Sequence, residues 1–126
     1  MPARGDRVPH FDVTTLDGSR VRYSDLWQRQ NLLLVTLPAA DPSDARRYAA
    51  ALIERLRSLP ADTEWVVTSD AVAGIRTAGV VVADRWGEIY YAREAAGTED
   101  LPTPDEIIGW LDYVRHECPE CQGEAL

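Results

Sequence analysis

The two cysteines of the chain form its sharpest chemical pattern. Cys118 and Cys121 enclose a proline and a glutamate, and His116 stands two residues before them. Thiolate and imidazole groups bind zinc, so these three residues offer part of a tetrahedral site that His10 or a second chain would have to complete. The same cysteines are also a dithiol that can form a disulfide and exchange with other thiols. A third interpretation is an inert tail, and the pattern leaves all three open.

The surroundings of the cysteine pair disfavour redox chemistry. The pair follows a predicted helix, whose carboxyl end carries partial negative charge, and Glu117 and Glu120 flank the thiols. Both effects disfavour the thiolate and so slow nucleophilic attack. Because the chain has no other cysteine, no long-range disulfide can hold the fold together, which excludes a secreted disulfide scaffold.

A second group of reactive side chains, Asp41-Pro42-Ser43-Asp44, precedes a predicted helix. Paired carboxylates can serve acid–base catalysis or bind a metal. A structural role explains more of the motif, because Asp41 as N-cap, Pro42 at the first helical position and Asp44 at the third form an acidic capping box. Negative charge also suits the helix dipole at this end. We therefore interpret the group as a helix start.

The charge distribution argues against nucleic acid as a partner. The net charge is −8, and all 13 basic residues are arginines, which excludes mechanisms that need a catalytic lysine. Residues 88–126 hold ten acidic residues and two arginines, a balance of −8, so the first 87 residues are neutral overall. An acidic surface repels phosphate backbones. A basic protein partner is compatible with this charge, although a solvated acidic face is the simpler interpretation.

Composition predicts one globular domain. Apolar residues make up 45% and charged residues 27% of the 126 positions. The longest apolar run, residues 32–37, is too short to span a bilayer, and the first residues lack the apolar stretch of a secretory signal. We expect a cytoplasmic protein without membrane association, with a single domain over residues 1–117 and a Cys-x-x-Cys tail over residues 118–126.

Hydrophobic periodicity predicts an alternating order of strands and helices. A β-hairpin turns at Asp17-Gly18, and buried strands follow at residues 32–37, 64–68 and 79–83. A fourth strand, residues 88–92, forms a hairpin with the third. Helices are predicted at residues 42–59, as one or two turns within residues 70–78, and from Pro104 to near His116. Because a single helix joins the first two buried strands, they should be parallel in an α/β sandwich.

Several segments resemble motifs of one protein group. The chain has a glycine at residue 5, Pro-x-Phe at residues 9–11, Leu-Asp-Gly at 16–18 and Ser-Asp-Leu at 24–26. Residues 80–92 read as strand, Asp-x-x-Gly turn and return strand, and residues 102–114 as a last helix. Together with the element order, these motifs resemble the redoxin type of the thioredoxin-like superfamily, the alkyl hydroperoxide reductases and thiol-specific antioxidants. The resemblance implies a thioredoxin-like sandwich.

The resemblance also implies a thiol site that the sequence does not fill. The family's reactive cysteines lie at the start of the first long helix, where residues 41–44 of this chain have aspartates in both cysteine positions and no cysteine precedes Cys118. The family's cis-proline position falls at Thr77 or Ala78, and residues 61–101 contain no proline. The resemblance therefore implies a degenerate site formed by Asp41, Pro42, Ser43, Asp44, Thr77 and Ala78.

These observations predict a redoxin-like domain with a degenerate active site, acting as a protein-binding or accessory subunit. One alternative is a thiol–disulfide oxidoreductase that uses Cys118 and Cys121. Another is a homodimer linked through the tails by zinc, with Cys118, Cys121 and His116 as ligands.

Overall fold

The most apolar segment of the chain forms the central strand of a four-stranded sheet. The computed structural model describes residues 3–38, 42–59, 62–72 and 74–116. In chain order its elements are β1 (Asp12–Thr14), β2 (Arg20–Arg22), β3 (Asn31–Thr36), α1 (Pro42–Leu56), β4 (Thr63–Thr68), β5 (Ala78–Ala83), β6 (Ile89–Ala95) and α2 (Pro104–His116). The sheet order is β4-β3-β5-β6, and β1 and β2 form a separate two-stranded hairpin.

Strand pairing confirms the predicted architecture. β3 runs parallel to β4, with Leu33 opposite Trp65 and Val35 opposite Val67. On its other side β3 is antiparallel to β5, and β5 is antiparallel to β6. The single helix between β3 and β4 allows the parallel pair, since parallel strands need a crossover connection.

The two faces of the sheet bury different elements. Leu33 and Val35 of β3 face both helices and contribute to one core with Leu52 of α1 and Leu111 of α2. The alternate residues of β3 face the N-terminal segment and the hairpin, where a second core includes Leu32, Leu34, Phe11, Val13 and Val81. This alternation follows from the two-residue period of a strand. The sandwich therefore has three layers: helices, sheet and hairpin.

The connection between β4 and β5 differs from the expected helical turns. Its described residues form bends and a bridge between Val72 and Ile75, with the Ile75 N–H donating to the Val72 carbonyl at 2.9 Å. Gly74 between them has a φ of +78°, which closes a turn that a helix cannot include. The turn lets Ile75 pack against Gly79, where a Cβ would lie 3.0 Å from the Ile75 side chain. Burial of two apolar residues thus replaces the predicted helix.

Two element ends also differ from the predicted positions. β6 continues to Ala95 because its last residues pair with the start of β5, Ala95 lying opposite Ala78. α1 ends at Leu56, three residues earlier than predicted, and the Leu59 N–H donates to the Leu56 carbonyl at 3.0 Å in a tighter turn.

Helix α2 begins and ends where its sequence predicts. The Glu106 N–H donates to Thr103 Oγ1 at 3.2 Å, and the Thr103 N–H donates to Glu106 Oε1 at 3.4 Å. These reciprocal bonds are a capping box. For α1, Pro42 is the first helical residue, but Asp41 lies outside the described residues, so its capping role stays a prediction. Neither of the two helices in the described ranges has the length and apolar character needed to cross a membrane.

Tyr23 directly follows the hairpin and packs in the second core, between the hairpin and the sheet. Its ring stacks on Phe11 with 5.2 Å between centroids, and only 6% of the residue is exposed. Its hydroxyl is buried without a hydrogen-bond partner among the residues that the structure describes. Burial, helped by the negative charge of Asp84, raises the pKa of Tyr23 from its usual value of 10 to about 12, although Arg7 opposes the shift.

We expect this tyrosine to weaken the fold at high pH. Between pH 10 and about 12 the unfolded chain loses the Tyr23 proton while the folded protein retains it, so the free energy of unfolding should fall as pH rises through this window. Urea unfolding at several pH values measures the slope. Tyr23→Phe should reduce it, whereas Tyr113→Phe, at an exposed tyrosine, should not. An unchanged slope in Tyr23→Phe would contradict the assignment.

Candidate functional site

The expected family site lies at the end of the sheet where β3 and β4 finish and α1 starts. Ser43 is exposed in the first turn of α1. Asp44 forms an ion pair with Arg47 on the next turn, and Asp41 lies outside the described residues. An aspartate paired in this way supports the start of α1, which is the role that its position in the sequence indicates.

Thr77 and Ala78 lie at the same end of the sheet. Ala78 is the first residue of β5, and Thr36 at the end of β3 pairs with Gly79. Thr77 is exposed, whereas Ala78 is buried against the helices. The loop before them is held to β6, because the Arg76 N–H donates to Glu94 Oε2 at 2.8 Å. The first turn of α1 and the start of β5 thus lie at the same end of the sheet, and their role as one site stays a prediction.

A hydroxyl–carboxylate link at this end ties the hairpin to β4. Thr68 Oγ1 donates to the Thr14 carbonyl at 2.6 Å and accepts from the Asp70 N–H at 3.0 Å. Asp70 also contacts the hairpin, because its Oδ2 accepts a hydrogen bond from the Thr14 N–H at 2.8 Å. These three hydrogen bonds have a structural role, since each one satisfies a backbone donor or acceptor.

Thr36 lies opposite Thr68 in the parallel register but has a different environment. It is 1% exposed, and its Oγ1 has no hydrogen-bond partner within the described residues. A buried hydroxyl without a partner costs free energy. The polar side chains that the described residues bring to this end carry hydroxyl, carboxylate and guanidinium groups, and none of them is a thiol.

The other predicted chemical group begins at the opposite end of the sheet. Arg115 Nε donates to Asp62 Oδ2 at 3.0 Å, and Asp62 directly precedes β4. This contact places the end of α2 beside the start of β4. His116 ends α2, with its Nδ1 lying 2.7 Å from the Asp112 carbonyl, which leaves Nε2 for another partner.

Cys118 and Cys121 lie outside the described residues. Their redox and zinc-binding roles therefore stay predictions. Within the described part of the chain, no three histidine, cysteine or acidic side chains lie together as a metal site.

Sequence reasoning missed a groove beside β4. The groove encloses about 600 Å³ between α1 and the hairpin and is lined by the apolar side chains of Leu16, Val21, Ile53, Trp65 and Val67. We call it the β4 groove. β4 is an edge of the described sheet. The hairpin covers its carboxyl end, where the Leu16 N–H donates to the Val67 carbonyl at 3.0 Å. The signal that the sequence offers for this groove is Leu16, an apolar residue among the polar residues of the hairpin turn.

Charged groups surround this apolar groove. Arg57 and Glu64 lie on its walls, and Asp17 lies at the hairpin turn beside Leu16, which is 45% exposed. Hydrogen bonds from the Thr15 hydroxyl and from Ser19 lower the pKa of Asp17. The Asp17 carboxylate therefore stays ionised at neutral pH and can attract a basic group.

Solved structures with the same arrangement include thiol peroxidases, peroxiredoxins and thioredoxin-family proteins. A thiol peroxidase from Chromobacterium violaceum aligns with a TM-score of 0.68 and 16% identity, covering 90% of this chain and 88% of that chain. A reduced 2-Cys peroxiredoxin from Plasmodium vivax gives 0.62 and 15%, covering 92% and 83%. A thioredoxin-family thiol:disulfide interchange protein from Chlorobium tepidum gives 0.63 and 11%, covering 90% and 99%.

No protein-family model matches the sequence, and a search of curated proteins also gives no match. The likeness to solved structures, at these low identities, defines the fold alone.

Thr36 and Thr68, which lie opposite each other in the sheet, allow a matched test of the hydrogen bonds that hold the hairpin to β4. Thr68→Val removes a donor and an acceptor that serve Thr14 and Asp70, and should lower the free energy of unfolding by about 1–3 kcal/mol. Thr36→Val removes a hydroxyl that has no partner among the described residues and should leave stability unchanged or raise it. Urea unfolding compares the variants. Equal losses in both would show that the hydrogen bonds of Thr68 do not hold the hairpin.

Proposed function

Since the chain has a thioredoxin-like fold of the redoxin type, we propose that it is a non-catalytic accessory domain that binds a partner protein in the β4 groove. The fold suggests a redox-related function, and in this proposal the partner supplies the redox chemistry. The observation that carries the proposal is the outer edge of β4, which no strand of the described residues pairs along residues 63–66 and which apolar side chains flank on both sides.

The composition of the expected thiol site supports the non-catalytic part of the proposal. Thioredoxin and peroxiredoxin chemistry needs a thiolate, which the start of a helix stabilises. The only cysteines of this chain follow α2, and α2 ends beside Asp62, at the end of the sheet opposite the start of α1. The serine and aspartate at the start of α1 offer no comparable nucleophile, since Asp44 is held in its ion pair with Arg47.

The geometry of β4 supports binding of an extended segment. An edge strand presents backbone N–H and C=O groups that a further strand can pair with. The Val67 carbonyl points to the open side, since it accepts from Leu16 of the hairpin. Trp65 lies two residues earlier in the same strand, so its backbone groups point to the same side. A partner segment can therefore continue the sheet beside residues 63–66.

The walls of the β4 groove indicate the chemistry of the partner segment. Side chains of an added strand alternate between the two faces of the sheet. On one face they would meet Leu16 and Val21, and on the other Ile53 and Trp65. Apolar residues fit both faces, and a lysine or arginine near one end fits the ionised Asp17. The partner segment is therefore apolar and extended, with a basic residue.

The first test measures catalysis with the full chain. We expect no consumption of hydrogen peroxide and no reduction of insulin disulfides beyond that of the double variant Cys118→Ser/Cys121→Ser. Activity that the double variant loses would overturn the proposal in favour of the oxidoreductase. Stoichiometric zinc in a dimer that dissociates with a chelator would favour the zinc-linked homodimer instead.

The second test selects random peptides of about ten residues displayed on phage, a length that spans the four open positions of β4 with flanking contacts. The enriched sequences should be apolar and extended with a basic residue. Leu16→Glu should abolish their binding, because it places a charge in the groove at an exposed position. Ala50→Glu adds the same charge at an exposed position on α1 and should leave binding intact. Enriched peptides that bind Leu16→Glu as well as the parent protein would contradict the proposal.

A further inference from the structure

A second cavity lies at the end of the sheet where β5 turns into β6, opposite the start of α1. It encloses about 340 Å³, a size suited to a small organic molecule. Its walls come from three separate segments and include Arg7, His10, Tyr23, Trp27, Trp86 and Gly87. We call it the aromatic cleft. It shares no residue with the β4 groove.

Hydrogen bonds hold the walls of the aromatic cleft in place. The Trp86 carbonyl accepts from Arg7 Nη1 at 2.7 Å and from Trp27 Nε1 at 3.2 Å, which joins all three segments at one atom. The turn itself is fixed by Asp84, whose buried Oδ1 accepts the N–H groups of Trp86 and Glu88 at 2.9 Å each. The cleft is therefore formed by the fold and not by a movement on binding.

The Tyr23 hydroxyl borders the cleft as a hydrogen-bond donor without an acceptor. It is buried and has no partner among the described residues. A Cβ at Gly87 would lie 2.9 Å from this hydroxyl and 3.7 Å from Trp27 Nε1, so the glycine keeps the space between them free of a side chain. A bound oxygen that accepts from Tyr23 would remove the cost of the unpaired hydroxyl.

The side chain of Trp27 is exposed, and the residue after it has a strained backbone. Both features are typical of a residue that contacts a ligand. It is 46% exposed, although it is one of the largest apolar side chains of the chain. The next residue, Gln28, has a φ of +69°, and its N–H donates to the Arg85 carbonyl at 2.7 Å. A left-handed backbone at a non-glycine residue costs free energy, and such residues cluster at ligand-binding sites.

We propose that the aromatic cleft binds a small planar aromatic molecule that carries a hydrogen-bond-accepting oxygen. The rings of Tyr23, Trp27 and Trp86 provide flat apolar surface for an aromatic ring. Tyr23 donates its hydroxyl proton, and the guanidinium of Arg7 can only donate. These two donors favour a ligand with an acceptor, and the ligand oxygen would satisfy the Tyr23 hydroxyl, which has no partner among the described residues.

Three related probes test the ligand class by titration of the full chain. Benzamide has both the ring and the oxygen, toluene lacks the oxygen, and cyclohexanecarboxamide lacks the aromatic ring. Proton–nitrogen spectra follow the indole N–H signals of Trp27 and Trp86. We expect benzamide to bind with a Kd of about 1 mM, and each of the other probes to bind at least about fivefold more weakly.

Variants test the assignment of the residues. Trp27→Ala should weaken benzamide binding at least about tenfold, and Tyr23→Phe about fivefold, while Tyr23→Phe leaves toluene binding unchanged. Tyr113→Ala changes an exposed aromatic residue outside the cleft and should bind as the parent does. The spectra also show that each variant is folded. Absence of shifts with benzamide, equal binding of cyclohexanecarboxamide, or full affinity in Tyr23→Phe would each overturn the proposal.

Discussion

Burial of β3 on both faces is the constraint on which the other elements depend. Residues 32 to 35 have no solvent exposure, and they alternate between the two cores of the molecule. A strand of this kind cannot be stable unless each face is covered and each edge is paired. β4 and β5 pair its edges, the two helices cover one face, and the hairpin with the N-terminal segment covers the other.

The elements that bury the two faces of the sheet differ in size, and this difference explains where the β4 groove and the aromatic cleft lie. Two helices of 15 and 13 residues cover one face, whereas the other face has a hairpin with three residues in each strand. The short hairpin contacts the carboxyl end of β4 through Thr14, Thr15 and Leu16, which leaves the groove beside Trp65. The aromatic cleft lies elsewhere, where the segments before and after the hairpin contact the β5–β6 turn. Arg7 and Trp27 of these segments both donate to the Trp86 carbonyl.

The parts of the fold that depend on local sequence could be predicted, and those that depend on distant contacts could not. The apolar run of β3 and the capping box of α2 could be predicted because each depends on residues that are close together in the sequence. The turn at Gly74 was missed because its form depends on Ile75 packing against Gly79. The role of the expected family site stays a prediction, and Asp41 of that site lies outside the described residues. The β4 groove and the aromatic cleft were missed, because Leu16 meets Val67, and Trp27 meets Trp86, only in the folded chain.

The ion pair between Arg115 and Asp62 closes a loop of the chain that runs from the start of β4 to the end of α2. The two residues are 53 positions apart in the sequence, and their side chains are only 26% and 30% exposed. Salt screens a partly buried ion pair less than a fully exposed one. The last helix therefore holds the start of the edge strand β4 in place even at high ionic strength.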